Sequence, residues 1–261
     1  MTPEPAVRTT TLPLTGERTV PGVAEENYWF RRHEAAYVAL RARCVGSVVL
    51  EAGCGEGYGA ELLAGVAERV LAVDYDEPAA AHVARAYPAV RMVRGNLVGL
   101  PVRTAAVDVV ATLQVIEHLW DQELFLAECR RVLRPGGTLL VTTPNRITFS
   151  PGRDTPVNPF HTRELAADEL AELVRAAGFE LSFIGGLHHG PRLRELDARH
   201  GGSLIDAQVE VVMGHLPGRA SWPAGLLADI VSVRAEDFEI HDQDVPASLD
   251  LVAVGVAAGG R

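Results

Sequence analysis

Residues 48–59 read Val48-Val49-Leu50-Glu51-Ala52-Gly53-Cys54-Gly55-Glu56-Gly57-Tyr58-Gly59. A β-branched, apolar run ends in glycines at alternate positions, and a helical pattern follows. A strand, a glycine-rich turn and a helix N-terminus bring bare backbone amides close to a ligand, so a nucleotide-type site is expected at this turn. The dinucleotide fingerprint needs a small residue where Tyr58 stands, because its third glycine lets helix and strand pack closely. The stretch therefore fits a nicotinamide-binding turn poorly.

The same alternation continues downstream. Val70 to Val73, Val90 to Val93, Val107 to Leu113 and Thr138 to Thr143 are short apolar or β-branched runs bounded by Gly, Pro, Asp or Asn, with helical stretches between them. A βαβ series predicts an α/β, doubly wound, Rossmann-like sheet with helices on both faces. Asp121 opens a helix whose face carries Phe125, Cys129, Val132 and Leu133, with Pro135-Gly136-Gly137 as its stop. A second stripe, Leu170, Leu173, Val174 and Ala177, ends at Gly178. Phe179 to Ile184 and Leu249 to Val256 read as further strands.

In such a sheet ligands bind beyond the carboxyl ends of the strands. The second tip carries Asp74, a carboxylate placed to accept both hydroxyls of a ribose, which the glycine turn upstream favours over the alternative of a turn or helix-capping residue ahead of Pro78. The third carries Asn96-Leu97, suited to an adenine amino group and ring face, with Asn96 alone also an ordinary turn residue. The fourth runs through Gln114 to Glu117-His118.

Composition bounds the rest. The chain has 261 residues, 48% hydrophobic and 22% charged, which describes a self-folding globular protein of one large domain or one domain with a cap. Lys+Arg is 24 against Asp+Glu 34, a formal charge of -10 that repels phosphate backbones, so nucleic acid is not an expected partner. No apolar run approaches the roughly 18 residues that span a bilayer, and the first residues lack a secretory pattern. Cys44, Cys54 and Cys129 are odd in number, without C-x-x-C, and read as reduced thiols. A cytoplasmic protein is expected, and its oligomeric state is not legible.

Residues 1–22, Pro-rich and without periodicity, read as a flexible arm. Residues 23–45 read as an N-terminal helical lid in which Trp29 and Phe30 cover a cofactor and Tyr28 or Arg32 touches it; a helix burying its aromatics is the alternative. Residues 46–145 form the cofactor-binding core. Residues 146–261 complete the same domain, with substrate-side insertions at 146–163 and 185–225 whose Gly, Pro, His and Arg break the rhythm.

The segments LEAGCGEGYG, LAVDYD, RGNL, VDVVATLQVIEHLWD and VLRPGGTLLVTTPN resemble, in order and spacing, the class I S-adenosylmethionine-dependent methyltransferases. The resemblance implies a seven-stranded sheet whose last strand is antiparallel. It implies that Glu51, Gly53 and Gly55 hold the methionine end, Asp74 the ribose, Asn96 and Leu97 the adenine, and Gln114 the backbone behind the sulfonium. Tyr75 and Trp29 join these as cofactor-side candidates. The family more often has Asp where this chain has Asn96. LTGERTVPGVAEENYWFRRHEAAY, TPNRITFSPGRDTPVNPFHTREL and GPRLRELDARHGGS look like actinobacterial methyltransferases of methylated glucose polysaccharide biosynthesis, which implies a sugar O-methyltransferase.

A carbohydrate hydroxyl is weakly acidic, so a base is expected. His118 is the first candidate, with Glu117 beside it and His161 reaching in from the facing loop; a histidine at 118 serves equally as a helix cap. Gln114-x-x-Glu117-His118 is also similar to the Glu-x-x-Glu-His metal site of ubiquinone-pathway O-methyltransferases, which implies Mg2+ on Glu117 and His118, although Gln114 is a poor ligand for a hard cation. Asn158, His161, His188 and Arg192 are candidate substrate contacts, with His189, Asp197, Arg199 and His200 nearby in sequence. A quinone or small phenol is the alternative acceptor. A nicotinamide oxidoreductase and a non-catalytic S-adenosylmethionine-binding subunit are the alternatives of other classes.

Overall fold

Val48, Val49 and Leu50 suit a pleated backbone, and a strand covered on both faces needs no alternating polar residues. In the computed structural model, which describes Leu12 and residues 18–213 and 222–258, they open β1 (Val48–Ala52), buried from Val49 onward. The other strands are β2 (Arg69–Asp74), β3 (Val90–Arg94), β4 (Val107–Leu113), β5 (Leu133–Pro144), β6 (Phe179–His189), β7 (Phe238–His241) and β8 (Asp250–Ala257). They form one sheet in the order β3-β2-β1-β4-β5-β8-β6-β7. Pairings from β3 across to β5 are parallel, and β8 runs antiparallel to both β5 and β6. The order reverses between β1 and β4, the place where a doubly wound sheet opens a ligand crevice. Among the described residues eight strands stand where seven were expected. The addition is β7, four residues at the sheet edge, too short for a periodic pattern to register.

The helices are α1 (Asn27–Leu40), α2 (Tyr58–Ala64), α3 (Glu77–Ala86), α4 (Gln122–Val132), α5 (Arg146–Phe149), α6 (Ala167–Ala176), α7 (Pro191–Arg199), α8 (Leu204–Met213) and α9 (Ala224–Ser232). The Asp121 carboxylate accepts the Leu124 amide at 2.9 Å and caps α4, whose Phe125, Cys129 and Val132 are fully buried. Pro135-Gly136-Gly137 lies inside β5 and does not stop the helix. Leu133 already pairs with Val107, the register then shifts, and Thr138 resumes pairing with Val109. The intervening turn needs Gly136 at φ +76°.

The stretch 185–225, expected as loop, is ordered differently. β6 continues to His189, Gly190 and Pro191 start α7, and α8 follows; residues 214–221 lie outside the described set. Residues 146–163 hold one helical turn, α5, and are otherwise irregular, as expected. Of the expected arm at 1–22, residues 1–11 and 13–17 also lie outside the described set.

The chain divides into two compact units, residues 1–35 with 189–239, and residues 36–188 with 240–261. The core of the second is one apolar cluster that includes Leu50, Val110, Phe125, Leu126, Leu139, Leu165 and Leu170. In the first, Tyr28 and the Nε2 of His189 are hydrogen-bonded at 2.7 Å, and His189 Nδ1 and Asp197 at 2.6 Å. Burial lowers the His189 pKa, with Asp197 opposing. No helix among the described residues is long and apolar enough to cross a membrane.

Candidate active site

The glycine turn leaves β1 and is laced to the tip of β2. Gly53 and Cys54 donate their amides to the Val73 carbonyl at 2.8 and 3.3 Å, and Gly57 donates to the Cys54 carbonyl at 2.9 Å. Gly55 donates to Asp74 Oδ2 at 2.8 Å, while Asp76 donates to Asp74 Oδ1 at 3.0 Å. The amides of Gly53 and Gly55 are thus already committed, contrary to the expectation of free donors at this turn. What these residues offer is bare backbone. At Gly53, with φ +87°, an added Cβ would stand 2.7 Å from the methyls of Val115. Each Asp74 oxygen takes one amide, and a carboxylate has about four acceptor positions, so both oxygens keep one for a hydroxyl.

Glu51 lies on β1 beneath this turn and is fully buried. Tyr37 of α1 donates its hydroxyl to Oε1 at 2.7 Å, whereas Oε2 is buried without a partner. Burial pushes the Glu51 pKa up to about 8; the Tyr37 hydroxyl opposes this and the charge of Asp74 adds to it. A buried carboxylate oxygen lacking a donor suits a cationic amine. Tyr37 was not singled out in the sequence, since only folding sets it over Glu51.

Tyr75 follows Asp74 and is 64% exposed. Asn96 uses its side-chain oxygen to accept the Val98 amide at 3.1 Å, the ordinary turn role, and Leu97 is buried in the core. Gln114, at the tip of β4, sits at φ +59°, a conformation non-glycine residues rarely hold without compensation. The Thr142 carbonyl accepts its amide at 2.9 Å, and Thr142 Oγ1 accepts its side chain at 3.3 Å.

Beyond Gln114 the chain makes a tight turn, Ile116–His118, to which the 158–164 loop is stitched. Thr162 donates both its amide and its hydroxyl to the Glu117 carbonyl, at 2.7 and 3.1 Å, and Gln122 bridges the carbonyls of Ile116 and Arg163. His118 Nδ1 is 3.0 Å from the Phe160 carbonyl. A carbonyl only accepts, so Nδ1 carries the proton and Nε2 of the neutral ring presents its lone pair. Nε2 is 4.0 Å from Glu117 Oε1, and Glu117 Oε2 accepts the Thr143 hydroxyl at 2.9 Å. Burial raises the Glu117 pKa to about 7, against the pull of His161.

His161 packs edge-on against His118, ring centroids 4.9 Å apart. Its Nδ1 meets Glu164 Oε1 at 2.6 Å, and its Nε2 meets the Asn158 side-chain nitrogen at 3.0 Å. The orientation of that amide is set because Asn158 Oδ1 accepts the Phe160 amide at 3.0 Å. His161 therefore donates to Glu164 and accepts from Asn158, and has no lone pair to spare. Its side chain is 5% exposed against 19% for His118. Glu164, absent from the sequence candidates, stands three residues after His161; that spacing is informative only once a turn brings the two together.

Glu117, His118 and His161 place one ligand atom each within 4.8 Å of one another. They do not make a ready site for a hard cation. Both nitrogens of His161 are engaged, and Gln114 turns its amide to Thr142. The other expected substrate contacts, His188 and Arg192, each have partners of their own. His188 stacks on His241 with centroids 4.1 Å apart, and Arg192 pairs with Asp237 and Ser232. Trp29 meets Tyr28 edge-on, with the Arg32 guanidinium over its ring.

A methyltransferase domain model matches residues 50–141. A protein of Mycolicibacterium smegmatis named "probable S-adenosylmethionine-dependent methyltransferase" is 61% identical over 94% of this chain and 95% of its own. The chain belongs to the S-adenosylmethionine-dependent methyltransferases. A ubiquinone biosynthesis O-methyltransferase of Thiobacillus denitrificans is 33% identical over 59% of the methyltransferase chain and 74% of its own. A solved S-adenosylmethionine-dependent methyltransferase from Thermotoga maritima, 20% identical, aligns with a TM-score of 0.57 over 89% of this chain and 95% of that one, a likeness of fold. Family membership makes the protein an enzyme that uses S-adenosylmethionine. The nicotinamide and non-catalytic alternatives fall with that assignment.

Proposed function

We propose that this methyltransferase places a methyl group on a hydroxyl of a glucose-containing oligo- or polysaccharide precursor. S-adenosylmethionine, when bound, supplies a methyl group on a sulfonium. Glu51 Oε2 would hold the methionine ammonium, Asp74 the ribose hydroxyls, Tyr75 and Asn96 the adenine, and the Gln114 backbone would support the sulfonium end.

The observation that carries the O-methyl reading is His118. Its tautomer, set by the Phe160 carbonyl, leaves Nε2 as acceptor for the proton of an alcohol, and Glu117 stands where it stabilises the resulting imidazolium. Asn158 and His161 hold the loop that fixes this geometry. No step is assigned to a metal, and activity is expected to survive exhaustive EDTA treatment; loss of activity restored by Mg2+ would reverse this.

Trp120 supports a saccharide acceptor. Two residues past His118, it is 91% exposed. Large exposed rings next to a site mark ligand-contacting surface, and a flat aromatic face suits the apolar face of a pyranose. Trp120→Ala is expected to raise the acceptor KM by roughly tenfold, the equivalent of one aromatic contact, leaving S-adenosylhomocysteine affinity unchanged. An unchanged acceptor KM would remove this support.

The second reading is a quinone or phenol acceptor, which the Thiobacillus relative and the shared Glu-His pair favour. Labelled methyl donor offered with a panel of glucosides and hydroquinones separates the two. The saccharide reading expects label on a glucoside, located by NMR of the product; label confined to the phenols would overturn it.

A further inference from the structure

Glu56 sits between two glycines of the turn, and its carboxylate is buried. Tyr87, just after α3, donates its hydroxyl to both carboxylate oxygens at 2.8 and 3.0 Å, and Oε1 also meets His82 Nε2 of α3 at 2.8 Å. Oε2 accepts the Tyr58 amide at the start of α2 at 3.1 Å. The next residue, Gly57, lies against the same helix: at φ +97° an added Cβ would stand 2.6 Å from Val83 and 2.9 Å from Tyr87.

These contacts close a ring. The turn is bound to Asp74 through the Gly55 amide, Asp74 is bound to the start of α3 through the Asp76 amide, and α3 is bound back to the turn through His82, Tyr87 and Glu56. We infer that Glu56 is a positioning residue for the cofactor: with Tyr87 and His82 it locks the glycine turn and Asp74 in one fixed relation before S-adenosylmethionine arrives. A site held in its bound geometry loses less ordering entropy on binding, so the ring contributes to affinity without touching the ligand. Cutting it removes the hydrogen bonds that join Glu56 to Tyr58, His82 and Tyr87 at the turn itself.

The inference rests on the cofactor being seated at this turn, so the test carries Asp74→Ala as a control. S-adenosylhomocysteine is titrated by calorimetry into Glu56→Ala, Glu56→Gln and Tyr87→Phe proteins, each well below its own melting temperature. Glu56→Ala should weaken binding by roughly tenfold or more, and Tyr87→Phe, which deletes one hydroxyl, by a smaller factor in the same direction. Glu56→Gln, which keeps an acceptor for Tyr87, should recover most of the affinity. A role confined to stability would lower the melting temperature and leave the dissociation constant of the folded protein alone. Glu56→Ala and Tyr87→Phe affinities within twofold of wild type, with Asp74→Ala losing binding, would overturn the inference by itself; if Asp74→Ala also binds normally, the seat is wrong and the inference falls with it. Should Glu56→Ala fail to fold, Tyr87→Phe alone decides in the same way.

Discussion

Asp74→Ala is expected to weaken S-adenosylhomocysteine binding by roughly 10²- to 10⁴-fold, the sum of two charge-assisted hydrogen bonds to ribose hydroxyls. The carboxylate also accepts the amides of Gly55 and Asp76, so its removal loosens the turn as well. Asp74→Asn, which keeps one acceptor oxygen, should fall between wild type and Asp74→Ala. The measurement is a calorimetric dissociation constant on protein shown to be folded by circular dichroism. Near-normal affinity in Asp74→Ala would take the ribose away from this residue.

His118→Ala should lower kcat by about 10²- to 10⁴-fold, the usual contribution of a positioned general base, with the S-adenosylhomocysteine dissociation constant unchanged. Glu117→Gln should have a smaller effect, since that carboxylate stabilises the charged ring without taking the proton. His161→Ala is expected to act through the 158–164 loop, lowering kcat because the Phe160 carbonyl no longer sets the His118 tautomer. Full turnover in His118→Ala would remove this histidine from the reaction.

Where side chains answer to a local pattern, the sequence predicted them well. The α4 stripe and its Asp121 cap follow from a 3.6-residue period and a short polar side chain ahead of it, and β4 is found at its expected bounds. The Pro135-Gly136-Gly137 run is ambiguous because a register shift inside a strand and a helix stop draw on the same residues. Residues 185–225 failed for a related reason: Pro191 is a break inside a helix but a favourable residue at its first turn, where it stands. Glu51, Asp74 and His118 could be proposed as site residues from the sequence because each stands on a strand or just past its tip. Tyr37, Glu56 and Glu164 could not, because each acquires meaning only from a partner that tertiary packing supplies.

The Glu51 seat makes a claim about protons as well as affinity. With burial raising its pKa to about 8, Glu51 is mostly protonated at pH 7 in the free protein. An ammonium at Oε2 requires the ionised form, so binding must expel that proton, and affinity must climb as pH rises toward 8. The direct measurement is calorimetric titration of S-adenosylhomocysteine into the purified protein in two buffers of different ionisation enthalpy. The account predicts one site per chain, release of close to one proton near pH 7, affinity rising by up to tenfold per unit from about pH 6 to 7.5, and neither effect in Glu51→Gln. Binding with no proton released, or no heat of binding at all, would contradict it.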